Sequence, residues 1–203
     1  MWSQWSAWIP TLLPALWTSV KLTAGALLIG LPLGVMIAMT TKSRHRLVRL
    51  CVLAMVELGR GTPALILLYF VYFGLTQADV TLTDTVAIIL ALGLNCAAYA
   101  SEVFRGAIDG VPHGQWDAAG AIGLSRWTIW WSIILPQMRS NALPPVIGLS
   151  ILVFQTTALA MTIGTQELMG SAYTIGSLTF HYMSVIVLAA VLYAAVSVPA
   201  SQV

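Results

Sequence analysis

The stretches of this chain that carry no Asp, Glu, Lys or Arg include 22–41, 61–78, 85–101, 140–166 and 182–203. A helix rises about 1.5 Å per residue, so about 20 apolar residues cross a hydrocarbon layer about 30 Å thick. Extended through neighbours that tolerate an interface, the runs predict spanning helices near 15–39, 49–75, 83–107, 140–164 and 181–203. The expected fold class is an all-α membrane protein, one transmembrane domain over 1–203. The remaining long interval, 108–139, is too polar to span and too patterned for a slack linker. Long segments with structure of their own are usually functional.

Composition strengthens this reading. The chain is 59% hydrophobic and 8% charged, with a mean hydropathy of +0.88. Soluble domains carry about 25% charged residues, so a water-soluble fold is excluded. Charge placement then sets the sides. Lys42, Arg44, His45, Arg46 and Arg49 fill the first loop, and Arg105, Arg126 and Arg139 border or occupy the long one. The second and fourth loops hold Asp79, Asp84 and Glu167 with no cation. Basic loops stay in the cytoplasm, so the expected N-terminus is outside and the C-terminus inside.

The opening residues lack the basic flank of a cleavable signal peptide. Trp2, Trp5 and Trp8, three apart, predict a short interfacial helix. Gly30 and Gly34 flank Pro32 in a small-xxx-small pattern that permits close helix contact, within the subunit or between subunits. Cys51 and Cys96 lack metal-ligand spacing and are expected to be small core residues. Lys21 is expected to snorkel, His181 to cap the last span, and His45 and His113 to lie in loops.

The interval 108–139 resolves into elements. Pro112 breaks the third span, 115–122 reads as a short helix with Asp117 in its first turn, and Gly123 ends it in the left-handed conformation. Ala118, Ala119, Gly120 and Ala121 leave that helix nearly bare, so another protein's groove can close on its backbone. Ser125 caps a second helix over 128–135 that Pro136 is expected to stop, with Trp127, Trp130 and Trp131 at the inner interface.

Polar groups inside spans are costly and mark function by default. Asn95, Tyr99 and Glu102 share one helix face, either as a substrate path or with Glu102 spent on Arg105. Glu57 and Arg60, three apart, read as a structural pair or gate element. Gln155, Thr156 and Thr157 form a polar patch in an apolar run. Catalytic and metal sites are not expected: there is no metal spacing, no nucleophile motif and no phosphate-binding Gly-rich loop.

The run Asp117-Ala118-Ala119-Gly120-Ala121-Ile122-Gly123, followed by Ile134-Leu135-Pro136, resembles the EAA loop of ABC importer permeases. Asp stands where that pattern has Glu. The segment from Glu57 through Arg60 to Pro63 resembles the E-L-F-R-G-T-P of the polar amino-acid permeases, the histidine/glutamine/glutamate/arginine/opine group. The segment 94–108 resembles that group's L-N-x-x-A-Y-x-x-E-x-F-R-G-x-I. Such a resemblance implies a type I importer permease fold in the bacterial inner membrane, with 115–123 as the coupling helix. Gln115, Asp117, Ala118, Ala119 and Gly123 would then meet the ATPase. It also implies a second permease subunit, identical or paralogous, two ABC ATPases and an extracytoplasmic amino-acid-binding protein, with the lipid bilayer around them and no nucleic acid. ATP and Mg would sit on the partner ATPase and no cofactor on this chain.

Many relatives carry Lys-Asp where this chain has Gln155-Thr156, so a charged substrate pair is missing here. Either a paralogous partner holds the fuller site or the preference has shifted. Rival readings are a permease of the same class for an amino-acid-like solute (an opine or ectoine) and a secondary transporter working without ATP, which would typically show more spans or a repeat.

Overall fold

The computed structural model describes residues 4–43 and 45–202, so Trp2 and Arg44 lie outside the described residues. It is helical: α1 Trp5–Thr40, α2 Arg46–Gly61, α3 Ala64–Gln77, α4 Asp84–Asp109, α5 His113–Ala121, α6 Arg126–Ile163, α7 Leu168–Thr179 and α8 Tyr182–Ala200. Among the described residues α1, α4, α6 and α8 are long and apolar enough to cross a membrane. The pair α2 and α3 passes only when taken together.

The α1–α4 pair is the axis of the fold. A Cβ on Gly30 would lie 2.7 Å from Cys96 Cβ, and one on Gly34 2.6 Å from Ala100 Cβ. Backbones meet here because neither position has a side chain, and both contacts are inside the subunit. Gly25 meets Ile89 in the same order, so the two helices run parallel. Lys42 and Asp109 form an ion pair where both helices finish. Leucine at Gly34 has no room to pack. We expect Gly34→Leu to cost more than the ~1–3 kcal/mol of ordinary overpacking and to lower the thermal midpoint of the detergent-solubilised protein sharply. An unchanged midpoint would mean that α1 and α4 are not held at this distance.

Two parallel helices need a return between them, and it is not the straight span expected over 49–75. The chain turns by 102° between α2 and α3. Pro63 has no N–H to donate and disfavours helical backbone at Thr62, which is extended at φ −87°, ψ 125°. The Thr62 hydroxyl donates to the Leu58 carbonyl at 2.7 Å, covering one group at the helix end. Of α2, only Val56 is buried; Cys51 is exposed, contrary to the core position expected, whereas Cys96 is buried.

The N-terminal tryptophans do not form a separate interfacial helix. From Trp5 onward they belong to α1, which is 36 residues long with Pro10, Pro14 and Pro32 inside it. Trp8 is buried with Leu12 against Leu168, Val185 and Leu188. Trp5 Nε1 donates to Ser184 Oγ at 3.2 Å. The partner of this segment is a hairpin of α7 and α8, and α7 lies where a plain loop is expected. Apolar surface supplied by that hairpin drew the tryptophans inward.

Pro136 does not stop a helix. Ser125 caps α6 as expected, accepting from Thr128 N at 3.1 Å, and the helix continues through 136 to Ile163. A wide π turn over Trp130–Ile134 precedes the proline, with Leu135 N–H reaching the Trp130 carbonyl. Such a turn redistributes the hydrogen bonds a proline interrupts. The helix that carries the fourth charge-free run therefore begins at Arg126, well before 140.

Candidate functional site

Three places in this fold concentrate polar groups. The first is α5. Pro112 starts it and Gly123, at φ +75°, closes its turn, with Leu124 N–H returning to the Ala119 carbonyl at 3.1 Å. The helix begins at His113, so Asp117 lies past the first turn rather than in it. Its inner face is fixed to the bundle. Ala119 is buried, and Trp116 packs edge-to-face on Trp130 with ring centres 5.2 Å apart. Gln115 accepts from Gln137 Nε2 at 3.1 Å, which joins α5 to α6. Gly114, Asp117, Ala118 and Ala121 are exposed. The result is a short helix with a bare outer face, seated between the end of α4 and the start of α6. It is in contact with both the core and α6.

The second is the corner between α2 and α3. Asn95, Tyr99 and Glu102 do share one face of α4, and that face is occupied by the corner. Asn95 Nδ2 donates to the Gly59 carbonyl at 3.3 Å, and the Tyr99 hydroxyl to the Arg60 carbonyl at 3.1 Å. These bonds serve carbonyls that the end of α2 leaves without helical partners. Glu102 binds Arg105 in the bidentate manner and lies 3.7 Å from Arg60, which in turn is 3.6 Å from Glu57. The Arg60 guanidinium sits over the Tyr99 ring, 5.9 Å from its centre. Glu57, Arg60, Glu102 and Arg105 thus alternate in sign along one line, and the corner cannot move without rearranging it.

The third is the end of α6. There the helix tightens to a 3₁₀ form over Thr157–Ile163 and stops at Gly164, φ +86°, before α7 begins. Irregular backbone at membrane depth is tolerated where protein or a cavity covers it. Gln155 is exposed, and Thr156 is half-buried with its hydroxyl on the Leu152 carbonyl at 2.7 Å. Thr157 is fully buried and donates to the Phe154 carbonyl at 2.7 Å. The expected three-residue patch is therefore split: Gln155 and Thr156 are reachable, whereas Thr157 belongs to the packing.

Ten residues on lies a group that sequence reasoning placed in an outer loop. Glu167 is 0% exposed. Its carboxylate accepts from Ser19 Oγ at 3.0 Å, Tyr193 Oη at 2.9 Å, Met169 N at 3.0 Å and Gly170 N at 2.7 Å. It caps α7 and ties that helix to α1 and α8 at once. Gly170 is crowded onto this cap: a Cβ there would meet the Thr165 carbonyl oxygen at 2.2 Å. An anion facing a helix N-terminus is favourable, and four donors replace the water it has lost. The available signal in the sequence is a lone acid three residues after a glycine, between two apolar runs.

Among the described residues no group of three His, Cys, Asp or Glu side chains is placed to hold a metal ion. The two remaining histidines of interest start helices: His113 is the first residue of α5, and His181, beside Gln4 Nε2 at 3.2 Å, precedes α8.

A bare helix bridges two long apolar helices, and the comparisons with known proteins give the family in which it occurs. Residues 30–202 match the family described as binding-protein-dependent transport system inner membrane component. The chain belongs to this family. As a permease it is 35% identical to the probable amino-acid ABC transporter permease protein YckA of Bacillus subtilis, over 82% of this chain and 74% of that protein. It is 31% identical to the arginine ABC transporter permease protein ArtQ of Escherichia coli, over 86% of this chain and 84% of that protein. With the nopaline transport system permease protein NocM of Agrobacterium fabrum it shares 34% identity, over 91% and 80% respectively. A crystal structure of an amino acid ABC transporter with histidines superposes with a TM-score of 0.91 at 29% identity, covering 100% of this chain and 94% of that one. The inward-facing MetNI methionine ABC transporter superposes at 0.78 with 21% identity, covering 97% and 95%, a likeness of fold. The permease is thus a transport subunit of an inner membrane ABC system and not an enzyme.

Proposed function

We propose that the permease is the membrane-spanning subunit of an ATP-driven importer of polar amino acids. It works with a second permease subunit, two ABC ATPases that bind ATP and Mg, and an extracytoplasmic amino-acid-binding protein. The observation that carries this reading is α5, a bare helix joined to two spans, in a chain whose relatives are named amino-acid permeases. Gln115, Asp117, Ala118 and the turn at Gly123 meet the ATPase, while Ala119 seats the helix on the permease. The chain's N-terminus is outside and its C-terminus in the cytoplasm. Support comes from Lys42, Arg105, Arg126 and Arg139, which gather at the α5 end of the bundle.

Substrate passes the broken end of α6. Gln155 and Thr156 offer it uncharged hydrogen-bonding groups. The corner of α2 and α3 forms a wall of the path, with Glu57, Arg60, Asn95, Tyr99 and Glu102 holding it in one position. The apolar side chains that α2 leaves exposed, Leu47, Leu50, Met55 and Leu58, suit lipid or the second subunit.

The test is substrate-stimulated ATP hydrolysis by the complete transporter in membranes, run over a panel of polar amino acids, an opine and ectoine. An amino acid is expected to stimulate most. Stimulation by the opine or ectoine alone would move the reading to an amino-acid-like solute. In the same assay Gln155→Leu is expected to raise the half-saturating concentration about tenfold, the worth of one hydrogen bond at roughly 1.4 kcal/mol. An unaltered value would remove Gln155 from the path.

A further inference from the structure

Between α5 and the finishing ends of α1 and α4 is a cleft that the coupling reading does not use. It encloses about 480 Å³ and is lined by Lys42, Asp109, His113, Trp116, Arg126 and Trp130, with apolar side chains between them. It lies on the inner side of α5, since Trp116 points from that helix toward the bundle and packs on Trp130.

The lining selects a type of ligand. Two permanent cations, Lys42 and Arg126, face one carboxylate, Asp109, which Lys42 already holds. Among the described residues Arg126 has no carboxylate within ion-pair distance. His113, the first residue of α5, also lines the cleft. The rest of the wall is hydrocarbon and indole. An anion with an apolar body fits both parts.

The surroundings identify its source. Trp127 and Trp131 follow Arg126 on α6, are exposed, and pack at a tilt with ring centres 5.3 Å apart. Exposed indoles at the end of a spanning helix mark the headgroup level of a bilayer. A basic pocket between helix ends at that level suits an anionic lipid headgroup. We propose that the cleft binds the phosphate headgroup of an anionic phospholipid. Arg126 grips the phosphate through two N–H groups, Lys42 adds charge, and the lipid's glycerol and upper acyl carbons lie against the Trp116 and Trp130 side of the cleft. A lipid seated there braces α5 against the bundle, so ATPase closure displaces α4 and α6 rather than bending α5 alone. That effect on coupling rests on the importer reading; lipid binding itself does not.

The experiment compares the complete transporter in nanodiscs of phosphatidylcholine with the same transporter in discs containing one-third phosphatidylglycerol. Lipid retained by the permease is read by native mass spectrometry, and coupling by substrate-stimulated ATP hydrolysis. We expect at least one phosphatidylglycerol retained per permease and hydrolysis raised several-fold by the anionic lipid. Arg126→Gln is expected to abolish the retention and the rise, and Arg126→Lys to keep part of both. Arg49→Gln, an exposed charge on α2, keeps both in full and so controls for general surface attraction. Equal retention in the two discs, or retention that survives Arg126→Gln, would overturn the lipid site. A rise reproduced by millimolar inorganic phosphate in phosphatidylcholine discs would overturn a lipid as its occupant. If no amino acid stimulates hydrolysis in any disc, the importer reading fails while the retention measurement still decides the lipid site.

Discussion

Ala118→Arg is expected to release the ATPase from the permease while leaving the permease folded. Ala118 is exposed on the outer face of α5, where Gly114, Asp117 and Ala121 keep the helix slim. A groove closing on so bare a surface has no space for a guanidinium on its three-carbon stem. The ATPase that co-purifies should fall at least tenfold, equivalent to roughly 1.4 kcal/mol or more of lost association. The thermal midpoint of the permease should stay within experimental error, because a surface substitution away from packing changes stability by about 0.5 kcal/mol or less. Ala119→Arg makes the contrast. Ala119 is 2% exposed and part of the core, so an arginine there buries an unpaired charge and should destabilise the permease itself, by roughly 3 kcal/mol or more. Its sequence neighbour reports on docking; Ala119 reports on seating. Full retention of ATPase by Ala118→Arg would place the docking element elsewhere.

The second large effect is expected at Glu167. Replacing it by leucine removes the acceptor shared by the Ser19 and Tyr193 hydroxyls and two backbone N–H groups of α7, and leaves Ser19 only the Ala15 carbonyl at 3.5 Å. Each unsatisfied buried donor costs about 1–3 kcal/mol, and the four share one site, so the loss should be several kcal/mol even after relaxation. We expect Glu167→Leu to yield little folded protein and to lower the thermal midpoint by many degrees. Glu167→Gln keeps the volume but turns an NH₂ group toward donors, and should fall between leucine and the native residue. Thermal inactivation of both variants decides it: two midpoints equal to the parent's would mean that this carboxylate is not the fastening point of α1, α7 and α8.

Much of this architecture is legible in the sequence because the membrane imposes it. Charge-free runs of sufficient length mark four of the spans, and Gly30 and Gly34 mark the place where two of them touch. Gly123 and Ser125 announce their turn and cap, since left-handed backbone and an open helix N-terminus each favour few residue types. Proline misleads at two places, in opposite directions. Pro63 turns a span by 102°, which the apolar run around it hides; Pro136 lies in a helix that continues, because a π turn takes up the missing bond. Helix α7 is hidden because at 12 residues it is too short for a span, and its buried face is mostly small residues, Gly170, Ser171, Ala172 and Gly176.

The candidate site divides in the same way. Spacing alone put Asn95, Tyr99 and Glu102 on one face, and named Glu57 with Arg60 and Glu102 with Arg105 as pairs. It did not show that this face is turned to the carbonyls at the end of α2, because the chain's turn at Pro63 decides what stands opposite. Gln155 and Thr157 differ in exposure because residues two apart point to nearly opposite sides of a helix, and which side meets the bundle is not written in residue type. Glu167 looks like any loop acid until Ser19 and Tyr193, distant in sequence, close around it.

The central claim is that transport through this permease is driven by a partner ATPase acting on α5. Uptake of labelled amino acid into vesicles holding the permease, its ATPase and its binding protein tests that claim directly. The expected result is uptake only with ATP and Mg inside the ATPase compartment, lost in Ala118→Arg. Uptake by the permease alone, without nucleotide and following an ion gradient, would contradict it.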